Sequence, residues 1–210
     1  ISADALLEAK TRLDSKYHWL EMSLLLGDYE AGFTHVPHLN GTNLILFLGS
    51  TIGNLDRKSA IEMLRDLHNY MSPSDYLLLG YDRVKDSEVL NAAYNDQQGL
   101  TAAFNLNVLQ VLNNRLNANF MLNRFEHAAR YNSEQQQIEM RVVAKSTQTI
   151  QVRRLSADFK MQRHEEIQTE ISRKFTTETM RELLSKAKFN VVQTFSSPDE
   201  YFSLGLACPA

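Results

Sequence analysis

Three short stretches carry residues able to do chemistry. Gly27-Asp28-Tyr29, Gly49-Ser50-Thr51-Ile52-Gly53-Asn54 and Tyr81-Asp82 each close an apolar run. Asp28 can accept hydrogen bonds from an exocyclic amine or a hydroxyl; it can equally cap a turn. Gly49 and Gly53 permit positive φ and close backbone approach. Asn54 offers a donor and an acceptor, the combination that holds the amine or carboxylate of a zwitterion. The same loop also reads as a turn capping the helix that starts near Leu55, so both roles stay open. Other chemistries find no support. There is no GxxxxGK[ST] and no GxGxxG to cradle a phosphate, and no GxSxG nucleophile elbow. The 6 histidines are His18, His35, His38, His68, His127 and His164. Only His35 and His38 are close, with no carboxylate or cysteine at ligand spacing, so no metal site is expected.

These residues need a scaffold, and the apolar pattern suggests one. "SADALLEAKTRLDSKY" reads as a helix capped by Ser2, with Ala5, Leu6, Ala9 and Leu13 on one face. "WLEMSLLLGDYE" reads as a short strand ending at Gly27-Asp28. "NLILFLGS" reads as a strand buried on both faces, the character of a parallel strand. "LDRKSAIEMLRDLHNYM" is a helix, with Asp56 in its first turn and Pro73 beyond its end. "YLLLGYD" is a second buried strand. Strand, loop, helix and strand in this order predict an α/β wound, mostly parallel sheet. In such a sheet ligands collect at the carboxyl ends of the strands, where all three stretches lie.

The second half changes character. "DSEVLNAAYND" reads as a short helix. "GLTAAFNLNVLQVLNNRL" reads as a long one, with Leu100, Phe104, Val108, Leu112 and Leu116 at four-residue steps. "QIEMRVVAKSTQTIQV" alternates and reads as two strands of a hairpin. "HEEIQTEISRKF" reads as extended, "TTETMRELLSKAKF" as a helix capped by Thr176 or Thr177, and "NVVQTFSSPDEYFSLGLA" as two strands around a turn.

Composition bounds the function classes. With 43% hydrophobic residues and 22% charged, the chain of 210 residues can bury one sizeable core. A net charge of −3 argues against a nucleic-acid backbone as partner. No apolar run is long enough for a membrane helix. The lone cysteine, Cys208, allows no internal disulfide, which fits a reducing cytoplasm. The opening "ISADALLEAK" starts at a helix cap without an initiator Met, so the chain reads as the remainder of a longer one.

Six ordered strings go further than composition: "FLGSTIGN", "LLLGYDRVKD", "LNAAYND", "GLTAAFNLNVL", "IEMRVVA" and "IQTEISRKF". From residue 1 to about 206 the chain resembles the histidine-specific S-adenosylmethionine-dependent methyltransferases of ergothioneine biosynthesis. The resemblance implies a class I, Rossmann-like methyltransferase core with an added substrate-binding subdomain. Residues 1–86 would form the C-terminal part of the cofactor-binding core, 87–175 mostly the subdomain, and 176–210 a helix and strands returning to the core. The implied cofactor is S-adenosylmethionine and the implied substrate L-histidine, methylated on its α-amino group. Asp28 and Tyr29 match the acidic-aromatic pair beside the cofactor adenine. Gly49 and Asn54 match positions holding the substrate amine and carboxylate, and Tyr94 a tyrosine on the carboxylate. Glu170 and Ser172 match the pair on the imidazole, with Met140 packing nearby. The family's glycine-rich cofactor loop and its upstream tyrosines fall before the matched region. A non-catalytic methyltransferase-like module, or an N-methyltransferase for another amino acid or small amine, is the alternative expectation.

Overall fold

The computed structural model describes residues 2–28, 32–33, 35–37 and 40–210. Tyr29 and His38 lie outside the described residues. In chain order the elements are α1 (Ala3–Asp14), β1 (Leu44–Phe47), α2 (Arg57–Tyr70), β2 (Tyr76–Asp82), α3 (Ser87–Tyr94) and α4 (Leu100–Leu116). There follow β3 (Phe125–Asn132), β4 (Gln137–Ala144), β5 (Gln148–Val152), β6 (Ala157–Met161), β7 (Glu166–Arg173), α5 (Thr177–Lys186), β8 (Phe189–Ser196) and β9 (Phe202–Pro209).

The larger sheet has the order β1-β2-β9-β8. β1 and β2 are parallel, joined through α2, while β9 runs antiparallel to β2 and to β8. A parallel pair needs a crossover, and α2 supplies it. Asp56 caps α2 by accepting from Lys58 N (2.8 Å) and Ser59 N (2.9 Å), which satisfies two orphan donors of the first turn. Thr176 caps α5 in a reciprocal box with Thr179. Leu64 and Leu67 of α2 and Leu183 and Leu184 of α5 are buried in one cluster with Leu77, Leu79 and Ala207 of the sheet.

A second sheet, β3-β4-β7, is wholly antiparallel, and β5 with β6 forms a separate hairpin. The two larger sheets meet where β7 ends beside β2. Phe175 N donates to Asp82 O (3.0 Å), Val84 N donates to Phe175 O (3.1 Å), and the Phe175 ring meets Tyr81 edge-on.

The structure corrects several expectations. The segment 19–28 has no regular structure; an apolar run becomes a strand only where a neighbour pairs with it, and no described residue does so here. β1 is not buried on both faces. Leu44 and Leu46 are each 56% exposed, and β2 is its one neighbour among the described residues. β4 and β5 do not form a hairpin, because β4 pairs with β3 and β7 while β5 pairs with β6. The α4 stripe is also shifted: Asn105 and Leu109 are buried, whereas Leu100 and Phe104 are 66% and 67% exposed. α1 forms on its Ser2 cap, yet none of its residues is buried. Among the described residues no helix is long and apolar enough to cross a membrane.

Candidate functional site

Strand β7 is the spine of the site. Its side chains alternate, so Glu170 and Ser172 share a face, which Lys174 continues just past the strand end. Across the ladder Met140 stands opposite Glu170, and Ile138 opposite Ser172. Helix α3 lays Tyr94 over this face. Tyr94, Met140 and Glu170 line one cavity of about 320 Å³, together with Leu100, Thr101 and Phe104 of α4. The exposure of Leu100 and Phe104 follows from this: they wall a cavity rather than fill a core. Glu170 is half-buried, and its carboxylate has no hydrogen-bond or ion-pair partner among the described residues. Burial pushes its pKa above the usual carboxylate value.

The strand is bent just before Glu170. Met140 pairs with Glu170 but Arg141 pairs with Gln168, so Thr169 is the extra residue of a β-bulge. A buried side-chain network holds it. Thr169 Oγ1 donates to Asn105 Oδ1 (2.5 Å), and Met140 O lies 3.0 Å from the same hydroxyl. Asn105 Nδ2 donates to Arg141 O (2.9 Å) and lies 2.9 Å from His127 Nδ1. An amide nitrogen cannot accept, so His127 Nδ1 must be unprotonated and Nε2 carries the hydrogen. That Nε2 lies 2.8 Å from Tyr94 O, the carbonyl it donates to. One network therefore sets the bulge that aims Glu170 and anchors the end of the helix that carries Tyr94.

Next along the face, Lys174 is 2% exposed. Its ammonium donates to the Tyr94 hydroxyl and to Ser172 Oγ, both at 2.9 Å, and pairs with Asp82 Oδ2 at 2.9 Å. It also lies 4.8 Å from the Tyr94 ring centroid. The Tyr94 hydroxyl donates to Ser172 Oγ at 2.8 Å. Asp82 has a second cation, Lys85, at 2.6 Å.

The glycine-containing loop abuts the same strand end. Gly49 has φ +80° and ends β1; Ser50, at φ +58°, accepts from Asp82 N through Oγ (2.9 Å). Gly53 needs to be glycine for a different reason: a Cβ there would sit 2.7 Å from Arg173 O and 3.2 Å from Arg173 N. The loop thus packs backbone to backbone on β7. Asn54 follows at the end of a 3-10 turn (Thr51–Asn54), exposed, and leaves the capping of α2 to Asp56.

Asp28 lies elsewhere, in the wall of a cavity of about 540 Å³ with Leu25, Leu26, Phe33, His35 and Val36. Among the described residues Asp28 is the one carboxylate of a lining that is otherwise mostly apolar.

With this geometry in hand, the likeness to known proteins can be stated. Residues 1–209 match the family model described as histidine-specific methyltransferase, SAM-dependent. The chain belongs to that family. It is 39% identical over 207 residues to the histidine N-alpha-methyltransferase of Mycolicibacterium smegmatis and 37% to that of Mycobacterium tuberculosis, in each case 99% of this chain. It spans 64% of the length of either relative. Among solved structures, an S-adenosylmethionine-dependent methyltransferase from Clostridium acetobutylicum aligns with a TM-score of 0.50 at 12% identity. That alignment covers 100% of this chain and 72% of the other. The CcbJ methyltransferase from Streptomyces caelestis aligns at 0.51 and 8% identity, over 100% and 77%. At such identities these two establish the fold alone, a class I methyltransferase-like α/β fold.

Of the residues singled out from sequence, the structure brings Tyr94, Met140, Glu170 and Ser172 together. Gly49 and Asn54 belong to the loop packed on the end of that strand, and Asp28 borders a different cavity. Tyr29 lies outside the described residues. Sequence reasoning missed Lys174, Asn105, His127 and Thr169. One signal could have found the first: Lys174 continues the Glu170–Ser172 alternation.

Proposed function

We propose that this chain is part of an S-adenosylmethionine-dependent N-methyltransferase acting on the α-amino group of L-histidine. The observation that supports it best is Glu170. A half-buried carboxylate without a partner among the described residues, on the wall of a cavity and opposite Met140, is costly unless a ligand completes it. An imidazole N–H is such a complement, through a charge-assisted hydrogen bond that an apolar side chain cannot use. Met140 and Phe104 would pack on the ring. The Asn54 amide, on the loop against β7, would hold the amine and carboxylate with Gly49 beside it; Tyr94, whose hydroxyl hydrogen goes to Ser172, would wall the site with its ring.

The cofactor, when bound, supplies an electrophilic methyl group. The chain's own residues have to align the acceptor and keep its amine neutral. Oxygen acceptors such as the Asn54 carbonyl favour the neutral amine. Asp28 would accept from the adenine amine, with Leu25, Leu26, Phe33 and Val36 against the ring; Tyr29 would be its aromatic companion. In this reading residues 1–86 and 176–210 serve the cofactor side and 87–175 the substrate. The partner is a small amino acid rather than a nucleic acid or a membrane. A lone cysteine suits a cytoplasmic enzyme.

The test uses the protein expressed from its complete coding sequence, incubated with L-histidine and S-adenosylmethionine. Mass spectrometry should show histidine gaining up to three methyl groups. Methylation of other amino acids with histidine untouched would replace the substrate assignment, and no methylation of any would refute the enzyme reading.

A further inference from the structure

Lys174 makes no use of solvent and belongs to no surface ion pair. It is an ammonium 2% exposed, with its three N–H groups directed at Asp82, Tyr94 and Ser172. A buried cation persists only when every donor is satisfied. Asp82 alone would neutralise it, and Asp82 already has Lys85 at 2.6 Å. Tyr94 and Ser172 satisfy its other two donors, and in doing so they commit lone pairs of both hydroxyls.

The Tyr94–Ser172 pair has two hydroxyl hydrogens and four lone pairs. Lys174 occupies one lone pair on each oxygen. The Tyr94-to-Ser172 bond uses one hydrogen and the second lone pair of Ser172. Ser172 is left with a hydrogen and no lone pair, so toward a ligand it can only donate. Without Lys174 both oxygens could accept, and either could turn. Glu170, on the same strand face, can only accept when ionised. A ring bearing one N–H and one bare nitrogen answers both groups together.

We propose that Lys174 is a positioning residue that sets the hydrogen-bond polarity of Ser172, and with it the ring selectivity of the site. It touches no substrate; it acts through Ser172 and Tyr94. The inference rests on the functional reading above and adds a determinant to it. Asp82 holds the ammonium in place from β2, so the cofactor-side sheet fixes a recognition element of the substrate side.

The experiment measures KM and kcat of the protein from its complete coding sequence for histidine and for 2-thienylalanine, whose ring has similar shape but neither a donor nor an acceptor nitrogen. Lys174→Met keeps the side-chain length and leaves Asp82 paired with Lys85. Its histidine KM should rise about tenfold, the worth of one hydrogen bond made dependable by the site, with thienylalanine KM unchanged and kcat altered less than KM. A purely structural lysine would instead weaken both substrates together, and an unchanged ratio of the two overturns the proposal. If Lys174→Met does not fold, Asp82→Asn loosens the same ammonium and should lower the preference for histidine about threefold; no change there refutes the role. Wild-type protein that takes neither substrate would refute the functional reading itself, an outcome distinct from an unmoved ratio in a working enzyme.

Discussion

Asn105→Ala tests whether the buried network aims Glu170. The substitution removes the bonds to Arg141 O (2.9 Å), His127 Nδ1 (2.9 Å) and Thr169 Oγ1 (2.5 Å). Neutral buried hydrogen bonds contribute about 1 kcal/mol each, so three give about 3 kcal/mol. The sum has slack in both directions: water entering the small void would recover part of it, and a dry, orphaned carbonyl at Arg141 would add to it. A loss of about 3 kcal/mol in a domain of this size lowers Tm by roughly 6–12 °C. Differential scanning fluorimetry reads that directly. The bulge makes a second, independent demand. Once Thr169 is released, Glu170 loses its fixed direction, so the histidine KM should rise by about tenfold or more when measured well below the new Tm. Thr169→Val, which keeps the shape and drops one donor, should follow at about a third of the stability cost. A Tm shift under about 2 °C, or a large shift with an unaltered KM, would refute the link between this network and the carboxylate.

Three further predictions concern single contacts. Gly53→Ala should cost about 1–3 kcal/mol in urea unfolding, because its Cβ would press on backbone atoms of Arg173 that cannot rotate away; Gly27→Ala, where a Cβ meets nothing within 4 Å, is the control and should show no such loss. Glu170→Gln should raise Tm at neutral pH. The folded pKa of Glu170 lies above its ordinary value, so the group's contribution is fully present below the usual carboxylate range and is lost as pH rises through the raised value. The difference between variant and wild type should therefore vanish below about pH 4, and a difference constant across pH would contradict this. Asp56→Ala should cost about 1 kcal/mol through the lost α2 cap, read by thermal melting.

Much of the fold could be read directly from the sequence, and the failures have definite causes. Helices α2 and α5 combine a cap residue with apolar positions at helical spacing, and both signals are local. Strand β2 is a continuous apolar run covered on both sides, and it reads as one. Strand β3 was missed because "FEHAARYN" contains no β-branched residue; it is a strand because β4 offers it a full ladder. The run at 19–28 failed the other way, with apolar residues and no partner. In α4 the four-residue stripe was real but met the core only in part: Val108 and Leu116 pack against it, while Leu100 and Phe104 do not. The buried pair Asn105 and Leu109 lies next to it on the helix, and the stripe's first two members wall the cavity instead. Periodicity says which residues share a face, and only the packing says what that face meets.

The site divides along the same line. That Glu170 and Ser172 share a face follows from strand alternation, which needs no structure. That Met140 stands opposite Glu170 does not, because a bulge at Thr169 shifts the register by one residue and nothing in the pattern marks a bulge. Asn105 is one of several polar residues in α4, and which of them matters depends on a strand 64 residues away. The contrast between Glu170 and Lys174 carries the functional argument further than either residue alone. They project from the same face four residues apart, and both are charged. Lys174 is enclosed with every donor satisfied by the protein, whereas Glu170 has no partner among the described residues and borders open volume. Chemistry that is finished inside the chain is scaffold, and chemistry left unfinished at a cavity wall is where a ligand is required. Under the proposals made above, the lysine sets the terms on which Ser172 acts, and the carboxylate is the partner of the ring.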